Sequence, residues 1–339
     1  MGSFFRRISP AIALFFISPL IAEFLLGDFP LSKIGFLFFL APFYGGGAIL
    51  IREIVRRAGR GWPTIVMLAL AYGILEEAFT TQTLFNPDYL GLHLHLLEPA
   101  FIPALGISAW WTIFVLSLHT VWSISIPIAI VEALVPCRAL KPWLKMPGLI
   151  FISMVFLLMA CLMTMNQIRT DAHHFLASPT QFIVSAVCCV VIATAAFLLP
   201  RRQARQPGAP PSAWITGALS LAACSIFLVA PRTWAWGAVA IYLALDLLMI
   251  AAAAAWSRLK GWNGLHTLSL AGGAALAYAW HGFIQKPVTG QADVAMRVGN
   301  AILAAGTIFV LYTAARRTSA DISFHASQRD EGLAPDHAG

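Results

Sequence analysis

Charged side chains are scarce in this chain. Asp, Glu, Lys and Arg make up 11% of its 339 residues, whereas a soluble globular protein has about 25%. Apolar residues make up 59%, and the mean hydropathy is +0.77. A water-soluble core of this size cannot bury so much apolar surface. The composition therefore excludes a soluble domain and predicts an all-α polytopic membrane protein.

Sequence signatures of redox, metal and cofactor sites are also lacking. None of the five cysteines forms a CxxC pair, and no HExxH motif occurs, which argues against a zincin-type metalloprotease. In "HLHLLE", the side chains of His93, His95 and Glu98 could bind a metal ion from alternate residues of a strand. Interfacial histidines beside leucines are the simpler interpretation. The sequence thus predicts no metal site and no cofactor.

The sequence is rich in long apolar segments. A spanning helix needs about 20 apolar residues, and the sequence contains ten such segments. They are 8–26, 34–54, 62–84, 109–135, 146–167, 178–199, 213–230, 233–256, 266–285 and 293–314. The prediction is a transmembrane helix bundle of about ten spans.

Lysine and arginine are concentrated in alternate connecting segments. If the N-terminus is cytoplasmic, the inner segments hold 17 of the 22 Lys and Arg residues, and the outer segments hold 5. Cytoplasmic loops carry such an excess, so the split supports the ten-span count and places both termini in the cytoplasm. The predicted location is a bacterial cytoplasmic membrane. The net charge of +7 belongs to these loops. The predicted partner is the lipid bilayer, and nucleic acid is not expected to bind.

Composition also divides the chain into parts. The Pro-rich basic stretch 200–212 predicts a cytoplasmic linker between a six-helix part, 1–199, and an Ala/Gly-rich four-helix part, 213–317. Residues 318–339 are polar and aperiodic, which predicts a disordered tail. The outer segment 86–108 is apolar but broken by prolines. It is expected to lie in the outer interface or to dip back as a re-entrant lid.

Two adjacent carboxylates interrupt the third apolar segment, "YGILEEAFTT". A charge at bilayer depth costs at least about 2.5–3.5 kcal/mol, so Glu76 and Glu77 need a compensating partner. His119 and Ser123 share one face of the next helix. At 1.5 Å per residue, Glu76 and His119 lie about 12 and about 15 Å below the outer end of their helices. Because consecutive helices are usually neighbours, we expect the two glutamates and His119 to meet in one cavity.

Such a cluster has a catalytic and a structural interpretation. One glutamate is expected to hold a proton, because two close carboxylates do not both ionise cheaply. The other could activate water, with the histidine as acid, base or oxyanion donor. Alternatively, the Glu–His contact is a hydrogen bond that stabilises the bundle. Ionisable residues inside a membrane are by default functional-site hypotheses.

The glutamate pair and the histidine resemble a known family. Glu76 and Glu77, followed by His119 and Ser123 in the spacing HxxxS, are similar to motifs of the CPBP intramembrane proteases, the CAAX-processing and bacteriocin-processing group. That family carries EExxxR, FxxxH and HxxxN on successive helices, where a glutamate activates water and the histidines bind the water or the oxyanion. The resemblance implies a glutamate-dependent hydrolase that cleaves a membrane-anchored peptide, with catalytic roles for these four residues.

The match to the family pattern is partial. Thr81 stands at the arginine position of the first motif, and Val115 stands at the phenylalanine position of the second. His119 fits either the second motif or the third, with Ser123 in place of asparagine, and it cannot supply both histidines. His281, near the outer end of the ninth segment, is the candidate for the other histidine.

Two other function classes remain open. Pro42 with Gly45–Gly47 in the second segment and Gly272–Gly273 in the ninth would interrupt helices of opposite orientation. Such interruptions are typical of inverted repeats around a central binding site, so a proton- or solute-coupled transporter is the alternative. A non-catalytic membrane scaffold is the third interpretation.

The remaining carboxylates near the apolar segments receive structural interpretations. Glu23, Glu53 and Glu132 lie nearer helix ends, where pairing at the surface is sufficient. Asp246 lies alone in the eighth segment and is expected to be protonated or hydrogen-bonded to a neighbour.

Overall fold

The chain folds mainly into helices. The computed structural model describes residues 2–171, 174–201, 205–288 and 291–331. Its α-helices are α1 Gly2–Pro19, α2 Leu37–Arg57, α3 Trp62–Leu75, α4 Ala109–Leu118, α5 Ile126–Leu134, α6 Met146–Thr170, α7 Pro179–Leu198, α8 Ala213–Val229, α9 Trp236–Trp256, α10 Gly264–His281 and α11 Val294–Glu331. Short 3-10 turns lie at Leu31–Phe36, Tyr89–Gly91, Pro136–Arg138 and Arg232–Trp234, and an antiparallel hairpin pairs β1 Phe101–Ile102 with β2 Ile107–Ser108.

Several helices continue as π-helix. Leu20–Leu25 extends α1, Glu76–Thr80 extends α3, and His119–Ser125 joins α4 to α5. The described residues therefore form ten helical segments, at the positions of the ten predicted ones. Eight of these are long and apolar enough to cross a membrane, whereas α8 is a shorter apolar helix. The predicted all-α, multi-pass membrane bundle is confirmed.

Burial separates a central group of helices from a peripheral group. In the first four candidate spans, 50–61% of the apolar window is buried inside the protein, but in α6, α7, α9 and α11 the share is 11–17%. Most side chains of α10 are also buried. The peripheral helices expose large apolar side chains such as Phe151, Val190 and Leu248, which fits contact with lipid. The glutamates and His119 lie on the central helices.

The glycine-rich stretches are packing sites within continuous helices. Helix α2 runs unbroken across Pro42 and Gly45–Gly47, and α10 runs unbroken across Gly272–Gly273. A Cβ atom on Gly45 would overlap the backbone of Phe15 on α1, and one on Gly273 would overlap the backbone of α8. The prediction that these stretches interrupt their helices is wrong, because small residues there let neighbouring helices approach closely.

The two predicted membrane parts share a core. The Trp122 ring of the first part stacks on the Tyr278 ring of α10, with centroids 4.4 Å apart, and its indole N–H donates to the Ala274 carbonyl at 2.8 Å. In the linker, Gln206 pairs by main-chain hydrogen bonds with the loop after α9. Residues 202–204 lie outside the described residues. The division at 200–212 stays a prediction.

The C-terminal segment differs from its sequence prediction. Helix α11 continues through Glu331, so residues 318–331 are helical where a disordered tail was predicted. The Thr318 hydroxyl donates to the Ala133 carbonyl, and Arg317 donates to the Leu134 carbonyl at 2.9 Å. These contacts fix the helix against the end of α5 although the segment has no apolar periodicity. Residues 332–339 lie outside the described residues.

The segment 86–108, predicted to lie outside, is irregular, as its prolines predict, and it is held to the bundle. The buried Asp171 carboxylate accepts from the Asn86 side chain at 2.8 Å and from the Leu90 N–H at 3.1 Å. Tyr89, in the 3-10 turn between them, lies within electrostatic range of Glu76 and Glu77. The segment therefore lies close to the glutamate pair, beyond the end of α3.

The side of the membrane on which each loop lies is a separate prediction. Reporter fusions after His95 and Gln206 are expected to report opposite sides, because the basic loops lie inside. A fusion after Lys260 is the matched control. Its N–H donates to the Gln206 carbonyl at 3.0 Å, so it must report the same side as the fusion after Gln206. Equal signals from the His95 and Gln206 fusions would contradict the topology.

Candidate functional site

The candidate site is built on the π-helical segments. π-Helix is rare and is frequently found at functional sites, and in this chain it carries Glu23, both adjacent glutamates and His119. Pro127 has no N–H for the Ser123 carbonyl, which instead accepts from the Ser18 hydroxyl at 2.6 Å. At the end of α3, the Thr81 N–H donates to the Glu76 carbonyl at 2.9 Å, five residues back. These local contacts stabilise the wider turns that carry the site residues.

The His119 imidazole lies between the two carboxylates. Its Nε2 is 2.8 Å from Oε1 of Glu77, and its Nδ1 is 2.9 Å from Oε2 of Glu76. Nδ1 is also 3.1 Å from the Ser123 hydroxyl. All four residues are buried, with exposed fractions of 1–8%. The predicted proximity is confirmed, and the catalytic roles of Glu76, Glu77, His119 and Ser123 stay a prediction.

The two glutamates differ in how they are held. The second carboxylate oxygen of Glu77 accepts from the Thr81 hydroxyl at 3.1 Å and from the Thr83 hydroxyl, which in turn accepts from the Trp111 N–H at 2.9 Å. Oε2 of Glu76 has no well-aligned hydrogen bond, although it faces His119. Glu77 is therefore fixed by its neighbours, and Glu76 keeps an oxygen free to accept a proton or bind a ligand.

Aromatic residues and a third carboxylate complete the surroundings. The rings of Tyr44 and Tyr72 lie 6.2 and 6.3 Å from the His119 ring, centroid to centroid. The Tyr44 hydroxyl donates to Glu23 at 2.6 Å, and Glu23 is within electrostatic range of Glu76 and His119. The Tyr72 hydroxyl is buried without a hydrogen-bond partner. Glu23 therefore neighbours the site rather than pairing at the surface, which corrects its sequence interpretation.

Another titratable group lies in the loop next to Glu23. Asp28 follows the first span, and burial raises the pKa of its carboxyl to about 6, against the opposing effect of a hydrogen bond from Gln285 at 2.7 Å. Its charge acts on Glu23. Polar and ionisable groups thus extend from the loop after α1 toward the His119 cluster.

Glu76, Glu77 and His119 are also suited to hold a metal ion. Each offers a ligand atom, and these atoms lie within 4.8 Å of one another. Within the described part of the chain, His93, His95 and Glu98 do not form such a group. The exposed His93 pairs with Asp88 at 3.2 Å, and His95 pairs with Glu98 at 2.6 Å.

Two further candidates lie outside the cluster. His281, proposed as a second histidine, packs its ring against Trp280 at 5.8 Å and is not in the donor group that the described residues form. Asp246 accepts from the Ser117 hydroxyl at 2.9 Å, as expected for a hydrogen-bonded carboxyl in a span. The structure therefore brings a single histidine to the glutamate pair in the described residues, whereas the CPBP pattern needs two.

Comparison with known proteins agrees with this architecture. Residues 12–167 match an uncharacterized membrane protein family. The matched range contains Glu23, Tyr44 and Tyr72 as well as the glutamates, His119 and Ser123. No curated protein and no solved structure matches the chain. The family supports a multi-pass membrane protein and names no activity.

Proposed function

We propose that this protein is a membrane-embedded hydrolase whose Glu76–Glu77–His119 cluster activates water to cleave a membrane-anchored peptide. The observation that supports it most is an imidazole buried between two carboxylates inside an apolar bundle. Buried ionisable groups of this kind are costly and are found mainly where they serve chemistry or transport. The partial resemblance to the CPBP proteases suggests the peptide substrate.

The contacts suggest a division of roles. Glu76, with an oxygen free of hydrogen bonds, takes a proton from water, and the resulting hydroxide attacks the peptide carbonyl carbon. The imidazolium of His119, oriented by Glu77, donates to the oxyanion that develops. When the C–N bond breaks, the proton on Glu76 passes to the leaving amine. Ser123 contacts Nδ1 and positions the ring.

The transporter alternative has less support from the helices. Its sequence evidence was a pair of interrupted spans, and both α2 and α10 are continuous. Transporters that work by inverted repeats place their substrate at broken helices. The ionisable cluster on its own is compatible with proton transfer, and the assay below separates that role from hydrolysis.

Substitution of the glutamates tests the proposal. In proteoliposomes, with a library of fluorogenic peptides carrying an apolar anchor, Glu76→Gln is expected to lower the turnover rate by at least about 100-fold, because it removes the base and keeps the shape. Glu77→Gln is expected to lower both the rate and the thermal stability, since it also loses partners of Thr81 and Thr83. Asp246→Asn is the matched control, a span carboxylate outside the cluster, and should retain activity.

Stability measurements decide between the catalytic and structural interpretations. His119→Ala would leave buried polar groups unpaired at a cost of about 1–3 kcal/mol in either case. Only the catalytic role predicts that Glu76→Gln keeps its unfolding midpoint while losing turnover. A folded wild-type protein that cleaves no peptide in the library, with equal destabilisation of all three cluster variants, would overturn the hydrolase proposal.

A further inference from the structure

The charges around His119 do not balance. Two buried carboxylates, Glu76 and Glu77, face one imidazole, and a third carboxylate, Glu23, lies within electrostatic range. Among the described residues, the ion pairs of Glu76 and Glu77 are with His119 alone, and no lysine or arginine contributes. Uncompensated charge in a low-dielectric interior is strongly unfavourable. The cluster therefore requires additional positive charge, either as protons or as a bound cation.

Unsatisfied polar atoms indicate where a ligand belongs. Oε2 of Glu76 and the hydroxyl of Tyr72 are both buried, and neither has a well-aligned hydrogen bond, although the two side chains lie close to each other. Native proteins rarely leave such atoms unpaired, and an ion or an ordered water is a usual partner. The two atoms belong to successive turns of one helical segment.

We infer that this cluster binds one divalent transition-metal ion of the zinc type through Glu76, Glu77 and His119. Their ligand atoms already lie within 4.8 Å of one another. A nitrogen donor combined with carboxylate oxygens suits zinc, iron or manganese rather than calcium or magnesium. Three protein ligands with a position left for water is the pattern of a catalytic metal site. The sequence predicted no metal because the donors come from different helices and form no local motif.

The outer contacts of the donors are those that a metal site needs. The Thr81 and Thr83 hydroxyls hold the second oxygen of Glu77, and the Ser123 hydroxyl contacts Nδ1 of His119. Hydrogen bonds of this kind orient ligands and strengthen metal binding. Nε2 of His119 faces Glu77 and Nδ1 faces Glu76, so each ring nitrogen has a carboxylate oxygen within reach.

The inference deepens the proposed function and depends on it only for the chemical meaning of the ion. With the ion bound, His119 would be a neutral ligand, and the ion would replace the imidazolium in stabilising the oxyanion while also lowering the pKa of the attacking water. The oxygen of Glu76 that is not bound to the ion then accepts the water proton. Binding itself is measured without any catalysis.

Metal uptake by the purified full-length chain tests the inference. Chelator-stripped protein in detergent is titrated with Zn2+, bound metal is counted by elemental analysis, and Co2+ replaces Zn2+ for visible absorption spectra. Wild type is expected to bind one ion per chain at this site, with a higher unfolding midpoint in its presence. Glu76→Gln, Glu77→Gln and His119→Ala are each expected to weaken binding by more than about 100-fold.

Matched variants separate ligation from general attraction. Glu23→Gln removes a nearby negative charge but no donor, so its affinity should stay within about 10-fold of wild type. His93→Ala with His95→Ala removes exposed imidazoles that could bind Zn2+ adventitiously, and the cluster ion should remain. Equal weakening by Glu23→Gln and Glu76→Gln, or a folded wild type that takes up no ion in this background, would overturn the inference.

The outcome is distinct from that of the hydrolase proposal. Stoichiometric binding without peptide cleavage would support the metal site and contradict hydrolysis. Cleavage by a stripped, ion-free protein would support hydrolysis and contradict a catalytic part for the ion, and absence of uptake by that protein would contradict the metal site. The wild-type titration does not depend on any variant folding.

Discussion

Replacing Glu132 with glutamine is expected to lower the free energy of unfolding by about 3–5 kcal/mol, the usual cost of removing one partner from a buried ion pair. Glu132 lies near the C-terminal end of α5, and the His119 cluster lies before the other end of this helix. Its carboxylate accepts two hydrogen bonds from the Arg56 guanidinium, at 2.6 and 2.8 Å, and one from Nε of Arg52 at 3.1 Å. Glutamine keeps the shape but leaves the buried Arg56 guanidinium without its counter-charge and Arg52 with Glu53 alone.

The Arg52 side chain explains why the effect should be large. It is fully buried, donates to Glu53 at 2.6 Å and to the Ala139 carbonyl at 2.7 Å, and lies 3.5 Å from the centre of the Trp143 ring. Glu53 in turn accepts from the Trp143 N–H at 2.8 Å. The network therefore ties α2, α5 and the loop before α6 together.

The measurement is thermal or denaturant unfolding of the purified protein in detergent. Glu98→Gln is the control, because its pair with His95 is largely exposed and should contribute less than about 1 kcal/mol. The double variant Arg56→Met with Glu132→Leu should recover part of the loss, since removing both partners costs less than removing one. A loss for Glu132→Gln no larger than that for Glu98→Gln would contradict the role of the network.

The sequence predicted those features that depend on local pattern and regular helix rise. Ten apolar segments appear as helices, and the depth of Glu76 and His119 on consecutive helices correctly brings them together. Helix rise gives a correct estimate of depth there, because both residues are measured from the two helix ends that the same loop joins. It gives no information on which helices enclose a residue. Glu53 and Glu132 were therefore interpreted as surface residues, and the structure shows that this was wrong.

The missed neighbours of the site have a common physical cause. Tyr44 and Tyr72 resemble ordinary aromatic residues of an apolar helix, and only tertiary packing directs their rings at His119. Glu23 could have been found from the sequence, because it also lies within an apolar segment and its depth can be estimated in the same way as that of Glu76. The π-helical turns have no sequence signature of their own, so the exact facing of these side chains could not be predicted.

Alanine substitution of three consecutive glycines on α2 is expected to give three different results. Gly45→Ala should lower the free energy of unfolding by more than about 2 kcal/mol, because the added methyl group overlaps the Phe15 backbone and forces α1 away from α2. Gly46→Ala meets only Phe156 at 3.4 Å. It should be neutral or stabilising by up to about 1 kcal/mol, since alanine favours the helix.

Gly47→Ala connects this packing to the site. Its methyl group would lie 2.5 Å from Cε2 of Tyr72, whose ring is confined by Phe43 and Phe156 at centroid distances of 5.4 and 6.3 Å. The ring must shift beside Glu76, so metal affinity and peptide cleavage should fall more than stability does. Unfolding curves, zinc titration and the peptide assay on the three variants check the series. Equal stability of Gly45→Ala and Gly46→Ala would contradict the close α1–α2 crossing. An unchanged site in a folded Gly47→Ala variant would show that the position of the Tyr72 ring does not affect Glu76.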